Sequence, residues 1–347
     1  MARITLRDVA NAAGTSVSAV SAVVNANPRH NIRVSTATRD RIQKAAAALD
    51  YSPNLLARSL VTRKTGVLGL VFPYAHAYTE NNPFFSEVLS GVFQAVIAAG
   101  YNVMLHTGIG DDWDAADENT QPDPRTDGLI LVLPRTESLI AERCIKQRIP
   151  FVSLVCRPGW PDGYVINADE FHGGWLAVRH LTELGHKRIA HFTGNPRIAT
   201  SAPRLEGYLA ALGAAGLEAD EQLIVPSNFN GQAGYEAMCH VLALPKSNWP
   251  TAIFAANDLC AEGALRAITE QGLSVPHDFS LVGYDDTWFG AMLQPSLTSV
   301  HMPIAEMGAH GVSMLIELLE GRGVPNPQPV LPVHLTVRQS SGPPARR

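Results

Sequence analysis

The sequence predicts a small all-α head followed by a larger α/β body with parallel sheets. Three observations lead to this fold class. Basic residues are concentrated near the amino terminus, helix-start signals fill the first 50 residues, and apolar runs alternate with helical stretches over the remainder. A chain of 347 residues, 46% of them hydrophobic, is long enough for two or three domains.

Charge divides the chain into two parts. Residues 1–64 contain ten Lys or Arg and three Asp, a net charge of +7, whereas the remainder contains 17 basic and 29 acidic residues, a net charge of −12. A basic segment next to an acidic body favours a polyanionic partner such as nucleic acid. The charged amino terminus and the lack of a long apolar run indicate neither a signal peptide nor a membrane span, so we expect a cytoplasmic protein with no membrane partner.

Three short helices are predicted in the head. Residues 5–8 form an N-cap box for the first helix, Ser16 can cap a second helix over 17–25, and a third helix begins after Ser35. Two helices joined by a tight turn and backed by a third are typical of a helix-turn-helix, whose second helix enters the major groove of DNA. Residues 1–50 are therefore interpreted as a DNA-binding domain, although plain helical bundles have similar apolar seams.

The segment 51–65 is predicted to be a hinge helix and linker. Ser52 is placed as an N-cap and Pro53 as the first helical residue of a helix of about eight residues. So short a helix is marginal by itself in water. It is either a structural connector or a hinge that folds only against DNA and a second copy of itself.

Strands and helices alternate through the body. Strands are predicted within 66–73, 101–106, 127–134, 150–156, 188–194, 251–257 and 279–286, and helices over 84–99, 171–185, 203–215, 231–243 and 258–271. This alternation predicts parallel sheets covered by helices on both faces, and the length fits two such lobes. Ligands of such sheets bind at the carboxyl ends of the strands.

Several motifs follow one another in the order of a known family. They include ITLRDVANAAGTSVSAVSAVVN, YSPNLLARSLVT, NPFFSEVLSGV, LGHKRIAHFTG, RLEGYLAAL, ANDLCAEGALRAI and FSLVGYDD. On these motifs the chain resembles the lac repressor/galactose repressor (LacI/GalR) family of bacterial transcription regulators over nearly its whole length. The resemblance implies a two-lobed periplasmic-binding-protein-like (type I) body that binds an effector and dimerises.

The resemblance also implies domain limits. The body would extend over 66–340 and be followed by a flexible tail at 341–347. Its first lobe would contain residues 66–167 plus 290–322, and its second lobe residues 168–289 plus 323–340.

DNA contacts follow from the same resemblance. Leu60 would be the apolar wedge that the hinge inserts into the minor groove. The full expected DNA-binding set is Thr5, Ser16, Val17, Ser18, Ser21, Ala22, Asn25, Arg29, Arg33, Asn54, Ala57, Arg58 and Leu60. Ala22 stands where the family usually has a long polar residue, and neither Val17 nor Ser18 can make a bidentate contact to guanine, so direct base readout should be weak.

The resemblance also implies effector contacts in the cleft between the lobes. The expected residues are Tyr74, Phe84, Asp169, Arg204, Phe229, Asn257, Asp285 and Trp288. Acidic and amide side chains at strand ends can also cap the following helices, which is the alternative interpretation. Tyr74 and Cys156 replace aspartates that the family often has, and Ala202 stands two positions before RLEG, where an arginine that grips the effector is common. Either the ligand differs from a simple sugar, or other donors such as Arg197, Arg204, His172 or Tyr78 replace the lost ones.

The expected function is that of a homodimeric regulator, most simply a repressor, that binds a palindromic double-stranded DNA operator and responds to a sugar or sugar derivative. The alternatives are a pure small-molecule-binding protein of the periplasmic type and a ligand-independent repressor. The sequence lacks GxSxG, HExxH, Walker and GxGxxG patterns, and the spacing of its four cysteines fits no zinc site. We therefore expect no enzymatic activity, no cofactor and no metal.

Overall fold

The computed structural model describes residues 4–24, 34–52, 64–72, 82–106, 121–134, 138–156 and 163–345. The chain divides into two compact units, Met1–Gly66 and Val67–Arg347. The predicted hinge helix lies outside the described residues.

The first unit contains three helices, α1 (Leu6–Ala13), α2 (Val17–Val24) and α3 (Thr36–Ala48). The Thr5 and Asp8 side chains form the expected capping box, and Gly14 ends α1 with φ = 59°. This left-handed conformation suits glycine and makes the tight turn into α2 possible. The small core is formed by Val9, Ala10, Ala13, Val20 and Ile42. These features confirm the helices predicted for the head.

The second unit contains twelve strands and eight α-helices among the described residues. The strands are β1 (Val67–Val71), β2 (Asn102–His106), β3 (Gly128–Val132), β4 (Phe151–Leu154), β5 (Val165–Ala168), β6 (Ile189–Thr193), β7 (Ile224–Pro226), β8 (Ala252–Ala255), β9 (Ser280–Asp285), β10 (Thr298–His301), β11 (Val330–Leu331) and β12 (His334–Thr336). The helices are α4 (Pro83–Ala99), α5 (Leu139–Gln147), α6 (Glu170–Glu183), α7 (Ser201–Ala214), α8 (Gly231–Leu242), α9 (Asp258–Glu270), α10 (Trp288–Met292) and α11 (Ile304–Leu319). Two 3₁₀ turns, Glu221–Leu223 and Lys246–Asn248, connect elements of the second half.

The strands form two six-stranded sheets. Their orders are β11-β5-β4-β3-β1-β2 and β12-β10-β9-β8-β6-β7. All pairs are parallel except β10 with β12, which is antiparallel. The seven predicted strands are present, but the sequence analysis missed β5, β7, β10, β11 and β12, because most of these strands are short or lie at sheet edges where their apolar pattern is weak.

The chain crosses between the sheets at points that differ from the predicted lobe limits. Strand β10, expected in the first lobe, belongs to the second sheet, and β11, expected in the second lobe, pairs with β5 in the first sheet. Helix α11 packs on α4, β3 and β4 of the first sheet. The first lobe is therefore 67–168 plus 304–331, and the second lobe is 170–301 plus 334–342.

The carboxyl edges of the two sheets face the crossings. Strands β5 and β11 run parallel and both leave the first lobe at their carboxyl ends, while β10 leaves the second lobe at its carboxyl end. Each connection is only one or two residues long. Because parallel strands share an edge, the loops that follow the strands of both lobes lie beside the crossings, and a ligand cleft is expected there.

Part of the predicted tail is packed against the second sheet. The Ser340 Oγ donates to the Leu281 carbonyl at 2.6 Å, and the Gly342 carbonyl lies 2.8 Å from the His186 Nε2. Residues 341 and 342 thus belong to the second lobe, and the flexible-tail prediction is wrong for them. Among the described residues, no helix combines the length and the apolar character needed to span a bilayer.

Candidate functional site

The first turn of α2 is the exposed part of the helix-turn-helix. The Ser16 Oγ accepts a hydrogen bond from the Ala19 backbone N–H at 3.2 Å, which confirms the predicted cap. Val17 is 41% exposed and Ser18 is also exposed, whereas Ser21 and Ala22 one turn later are half-buried. This turn offers hydroxyl groups and one isopropyl group, which can contact phosphates or a thymine methyl group but cannot make a bidentate contact to guanine.

Thr5 acts locally as a helix cap. Its hydroxyl donates to the Asp8 Oδ2 at 2.7 Å, and its backbone N–H donates to the same oxygen at 2.8 Å. These two hydrogen bonds lower the pKa of Asp8.

Some of the predicted site residues lie outside the described part of the chain. They are Asn25, Arg29, Arg33, Asn54, Ala57, Arg58, Leu60 and Tyr74.

In the second lobe, a buried arginine lies across the carboxyl edge of the sheet. The Arg204 Nε donates to the Glu170 Oε2 at 2.7 Å, and its Nη1 donates to the Ala256 carbonyl at 2.5 Å. Its Nη2 lies 3.7 Å from the Asp285 Oδ1. Its Cζ is 3.5 Å from the centre of the Tyr284 ring, a cation–π contact. Arg204 thereby connects the starts of α6 and α7 with the ends of β8 and β9.

Two glycines in α6 and an unusual backbone conformation at Asp285 let the elements around Arg204 pack closely. Glu170 is the first residue of α6, directly after the crossing from β5. A Cβ atom at Gly174 would lie 2.3 Å from the Arg204 carbonyl oxygen, and one at Gly173 would lie 2.2 Å from the Tyr284 Oη. Only glycine allows α6 to pack this closely on α7 and on Tyr284. Asp285 has φ = 97°, a conformation that is rare for a residue with a side chain and is common at functional sites.

The cluster of Arg204, Glu170, Asp285 and Tyr284 is hereafter called the arginine cluster. Burial alone would lower the pKa of Arg204, but Glu170, Tyr284 and Asp285 raise it above its usual value, so the guanidinium is charged. Burial raises the pKa of Asp285 well above its usual value against the opposing effect of Arg204, and Asp258 and Glu170 raise it further. Glu170 is therefore the main counter-ion of Arg204, because its carboxylate makes the shorter contact.

Phe229 and Asn257 border the arginine cluster. The ring centre of Phe229 lies 5.7 Å from the Arg204 Cζ. The Asn257 Oδ1 accepts from the Cys260 N–H at 2.9 Å as the cap of α9, and its Nδ2 donates to the Phe229 carbonyl at 3.2 Å. The amide thus caps a helix and holds the Phe229 loop, which agrees with the capping alternative.

The remaining predicted effector residues lie elsewhere in the second unit or act as caps. The Asp169 Oδ1 accepts from the His172 N–H at 2.9 Å and caps α6. Phe84 is buried in the first-lobe core, where its ring packs edge-on to Phe85 at 5.3 Å. Trp288 is 56% exposed on α10, and its ring contacts Phe289. The structure brings Arg204, Phe229, Asn257 and Asp285 together, but it does not bring Trp288 or Phe84 into the same contacts.

Sequence reasoning missed two members of the site. Glu170 was passed over because its neighbour Asp169 matched the family pattern, and Tyr284 was read only as part of a buried strand. The sequence does contain a signal for Glu170. Two adjacent acidic residues, 169–170, directly follow a strand, and a carboxylate buried there requires a cation as its partner. Ala202 supplies no arginine side chain, and the nearby Arg204 is bound to Glu170 and to the Ala256 carbonyl.

Comparisons with known proteins agree with both units. Residues 5–54 match the model of bacterial regulatory proteins of the lacI family, and residues 178–341 match a periplasmic binding protein-like domain. The chain is 35% identical to the ribose operon repressor of Escherichia coli over 317 residues, which cover 90% of this chain and 92% of that protein. A protein of this class combines a DNA-binding head with a ligand-binding body.

Two solved structures have the same architecture. A lac repressor dimer bound to operator and the anti-inducer ONPF has a TM-score of 0.83 and 28% identity, covering 98% of this chain and 100% of that chain. A complex of the transcriptional regulator CelR with cellobiose has a TM-score of 0.71 and 30% identity, covering 97% and 100%. The chain belongs to the LacI family of bacterial transcription regulators.

Proposed function

We propose that this protein is a DNA-binding transcriptional repressor that binds a palindromic operator as a homodimer and responds to a small molecule in the cleft between its lobes. One observation carries the proposal: a basic three-helix unit with an exposed α2 turn is joined in one chain to a two-lobed unit with polar groups at the cleft edge. The similar lac repressor dimer is bound to operator, which supports the same use of the head here. A DNA-binding role also supports a cytoplasmic location.

A carbohydrate is the effector class that the arginine cluster and its neighbours support best. Asp285 can exchange hydrogen bonds with hydroxyl groups, and the Phe229 ring offers an aromatic face for a sugar ring. The similar CelR structure contains cellobiose. A ligand that contacts Asp285 in the second lobe and groups of the first lobe at the same time would bias the angle between the lobes. Ligand affinity and operator affinity are then coupled reciprocally.

DNA recognition can be tested by selecting bound duplexes from a random pool with the full-length protein. The expected result is a two-fold symmetric sequence bound by a dimer. Ser18→Asp places a negative charge on the exposed turn of α2 and should lower operator affinity by more than about tenfold. Gln43→Glu is the matched control, because it adds one negative charge on the exposed face of α3. A selected pool without any sequence preference would contradict the proposal.

Effector binding can be tested by thermal unfolding against sugars, sugar phosphates, polyols and nucleobases. A ligand that binds only the folded state stabilises it by about 2.7 kcal/mol at ~100 times its dissociation constant. A shift with one sugar class, accompanied by a change in operator affinity, would support effector control. Operator binding that no compound in the panel changes would instead favour ligand-independent repression.

A further inference from the structure

The arginine at the cleft edge is already occupied by protein groups. Of its N–H donors, the Nε is bound to Glu170 and one Nη is bound to the Ala256 carbonyl, while the other Nη faces Asp285. One face of the guanidinium is covered by Tyr284 at 3.5 Å. The side chain of Arg204 is only 4% exposed. Burial by these groups therefore leaves little of the guanidinium accessible to a ligand.

The arginine cluster also carries no net positive charge. Glu170, 2.7 Å away, balances the guanidinium, and the side chain of Glu170 is 9% exposed, so solvent screens this pair little. With Asp285 protonated the cluster is neutral, and with Asp285 ionised it is negative by one charge. The buried Asp258 carboxyl accepts from the Ser299 Oγ at 2.6 Å and adds no positive charge. An anionic ligand at this edge would meet carboxylates rather than a free cation.

Glu170 is the residue that decides this charge balance. It is held at the amino end of α6 by the crossing before it, where its carboxylate is fixed against Arg204. Replacing it with an uncharged group would leave the guanidinium charge without its counter-ion, and such a charge attracts phosphate or carboxylate. The same cleft would then change its ligand class without any change in shape.

We propose that Glu170 sets the charge class of the effector: by occupying Arg204, it makes the second-lobe side of the cleft accept uncharged, polyhydroxylated ligands and reject phosphorylated or carboxylated ones. This inference rests on the proposed function, since it assigns a selectivity to the same cleft. A sugar with free hydroxyl groups can exchange hydrogen bonds with Asp285 without displacing Glu170. A sugar phosphate would have to compete with Glu170 for Arg204.

The test uses Glu170→Gln, which keeps the shape of the side chain and removes its charge. The full-length protein is titrated with inorganic phosphate and with ribose 5-phosphate at constant ionic strength, and binding is followed by calorimetry. Glu170→Gln should bind these anions at least about tenfold more tightly than the parent protein does. Glu206→Gln on the exposed side of α7 makes the same charge change away from the cluster and should show no gain. Anion sites on the basic head are common to all variants and cancel in this comparison.

Two further results decide the proposal. If Glu170→Gln does not fold, Asp285→Asn removes the other carboxylate of the arginine cluster and should show a smaller gain of the same sign. An anion affinity of the folded variant no higher than that of Glu206→Gln would overturn the proposal. A second result would also overturn the proposal. In it, ribose 5-phosphate raises the thermal stability of the parent protein more than ribose does, and Glu206→Gln and Glu170→Gln respond identically. Operator binding is measured on the same preparations, so failure of the repressor function is seen independently of failure of the charge selectivity.

Discussion

At the scale of single residues, Gly194 determines how closely the Phe229 ring approaches the end of β6. A Cβ atom at this position would lie 2.1 Å from the Phe229 Cζ and 2.6 Å from the Ser201 Oγ. Gly194→Ala should therefore displace the ring and destabilise the protein by about 1–3 kcal/mol, as overpacking does. Gly213→Ala, where nothing lies within 4 Å, is the control and should be neutral or stabilising by up to about 1 kcal/mol. Urea unfolding measures both, and equal effects would contradict the close packing of Phe229.

His191 gives the second residue-scale prediction, a contribution to stability that is lost in mild acid. Its ring is stacked between Tyr208 and Phe254, and burial lowers its pKa to about 4. Between about pH 6.5 and 4 the unfolded state binds a proton that the folded state does not, so the free energy of unfolding falls as the pH falls. The total is about 3 kcal/mol at 1.36 kcal/mol per pKa unit.

Urea unfolding between pH 7 and pH 4.5 measures this contribution as the difference between the parent protein and His191→Phe, because the raised pKa of Asp258, about 7, acts on the parent slope in the opposite direction. His191→Phe should reduce the slope with pH, without abolishing it, because burial also lowers the pKa values of His180 and His186. His277→Gln replaces a side chain that is 80% exposed and should leave the slope unchanged. An unchanged slope in His191→Phe would show that the ring titrates normally.

The sequence predicted residues of this site that follow family motifs, and it missed those defined by tertiary contact. Asp285 and Asn257 could be placed because strand ends in parallel sheets converge on one edge. The pairing of Glu170 with Arg204 could not be read, because 34 positions separate them and only the packing of α6 on α7 brings them together. Trp288 followed the same strand-end logic, but α10 leaves it exposed.

At the scale of elements, local signals were the most reliable. The caps at Thr5, Ser16 and Ser35 were predictable because a side-chain oxygen close to the free N–H groups of a helix is a local interaction. The lobe limits were not, because β10 and β11 are four and two residues long, and their sheet is set by long-range pairing. Helix and strand identity followed from the sequence, whereas the points at which the chain changes lobes required the structure.

Helix α2 leads to a prediction about operator specificity. Its exposed turn carries Ser16, Val17 and Ser18, so Val17→Ala removes only an apolar contact, worth about 1 kcal/mol or less against a thymine methyl group. The family resemblance implies that Leu60 would wedge between base pairs, so its loss would remove shape readout. Leu60→Ala should therefore reduce the ratio of operator to scrambled-DNA affinity more than Val17→Ala does. Competition binding measures the ratio, and equal reductions would refute the prediction.

The carboxyl-terminal segment stabilises the second lobe as an element. The Leu281 N–H donates to the Ser340 carbonyl at 2.8 Å, and the Thr298 N–H donates to the Ser340 Oγ at 2.8 Å. With the Gly342 carbonyl close to His186, deletion of residues 340–347 removes several buried hydrogen bonds and should cost about 2–4 kcal/mol. Deletion of residues 343–347 keeps them and should cost less than about 1 kcal/mol. Equal stability of the two truncations in urea would mean that the segment contributes nothing.

At the scale of the whole molecule, the two compact units carry opposite charge. Operator affinity and effector affinity should therefore depend differently on salt concentration. The segment 1–64 has a net charge of +7 and the remainder −12, so electrostatic attraction to DNA phosphates is expected from the head. If a dimer neutralises about six to ten phosphates, operator affinity should fall roughly 10³ to 10⁵-fold between about 50 and 200 mM salt. An uncharged effector at the arginine cluster should change in affinity by less than about twofold over the same range, because no counter-ions are released. Filter binding and calorimetry on the same protein measure the two slopes. A shallow slope for the operator would contradict a DNA interface in the basic head, and a steep slope for the effector would require an anionic ligand.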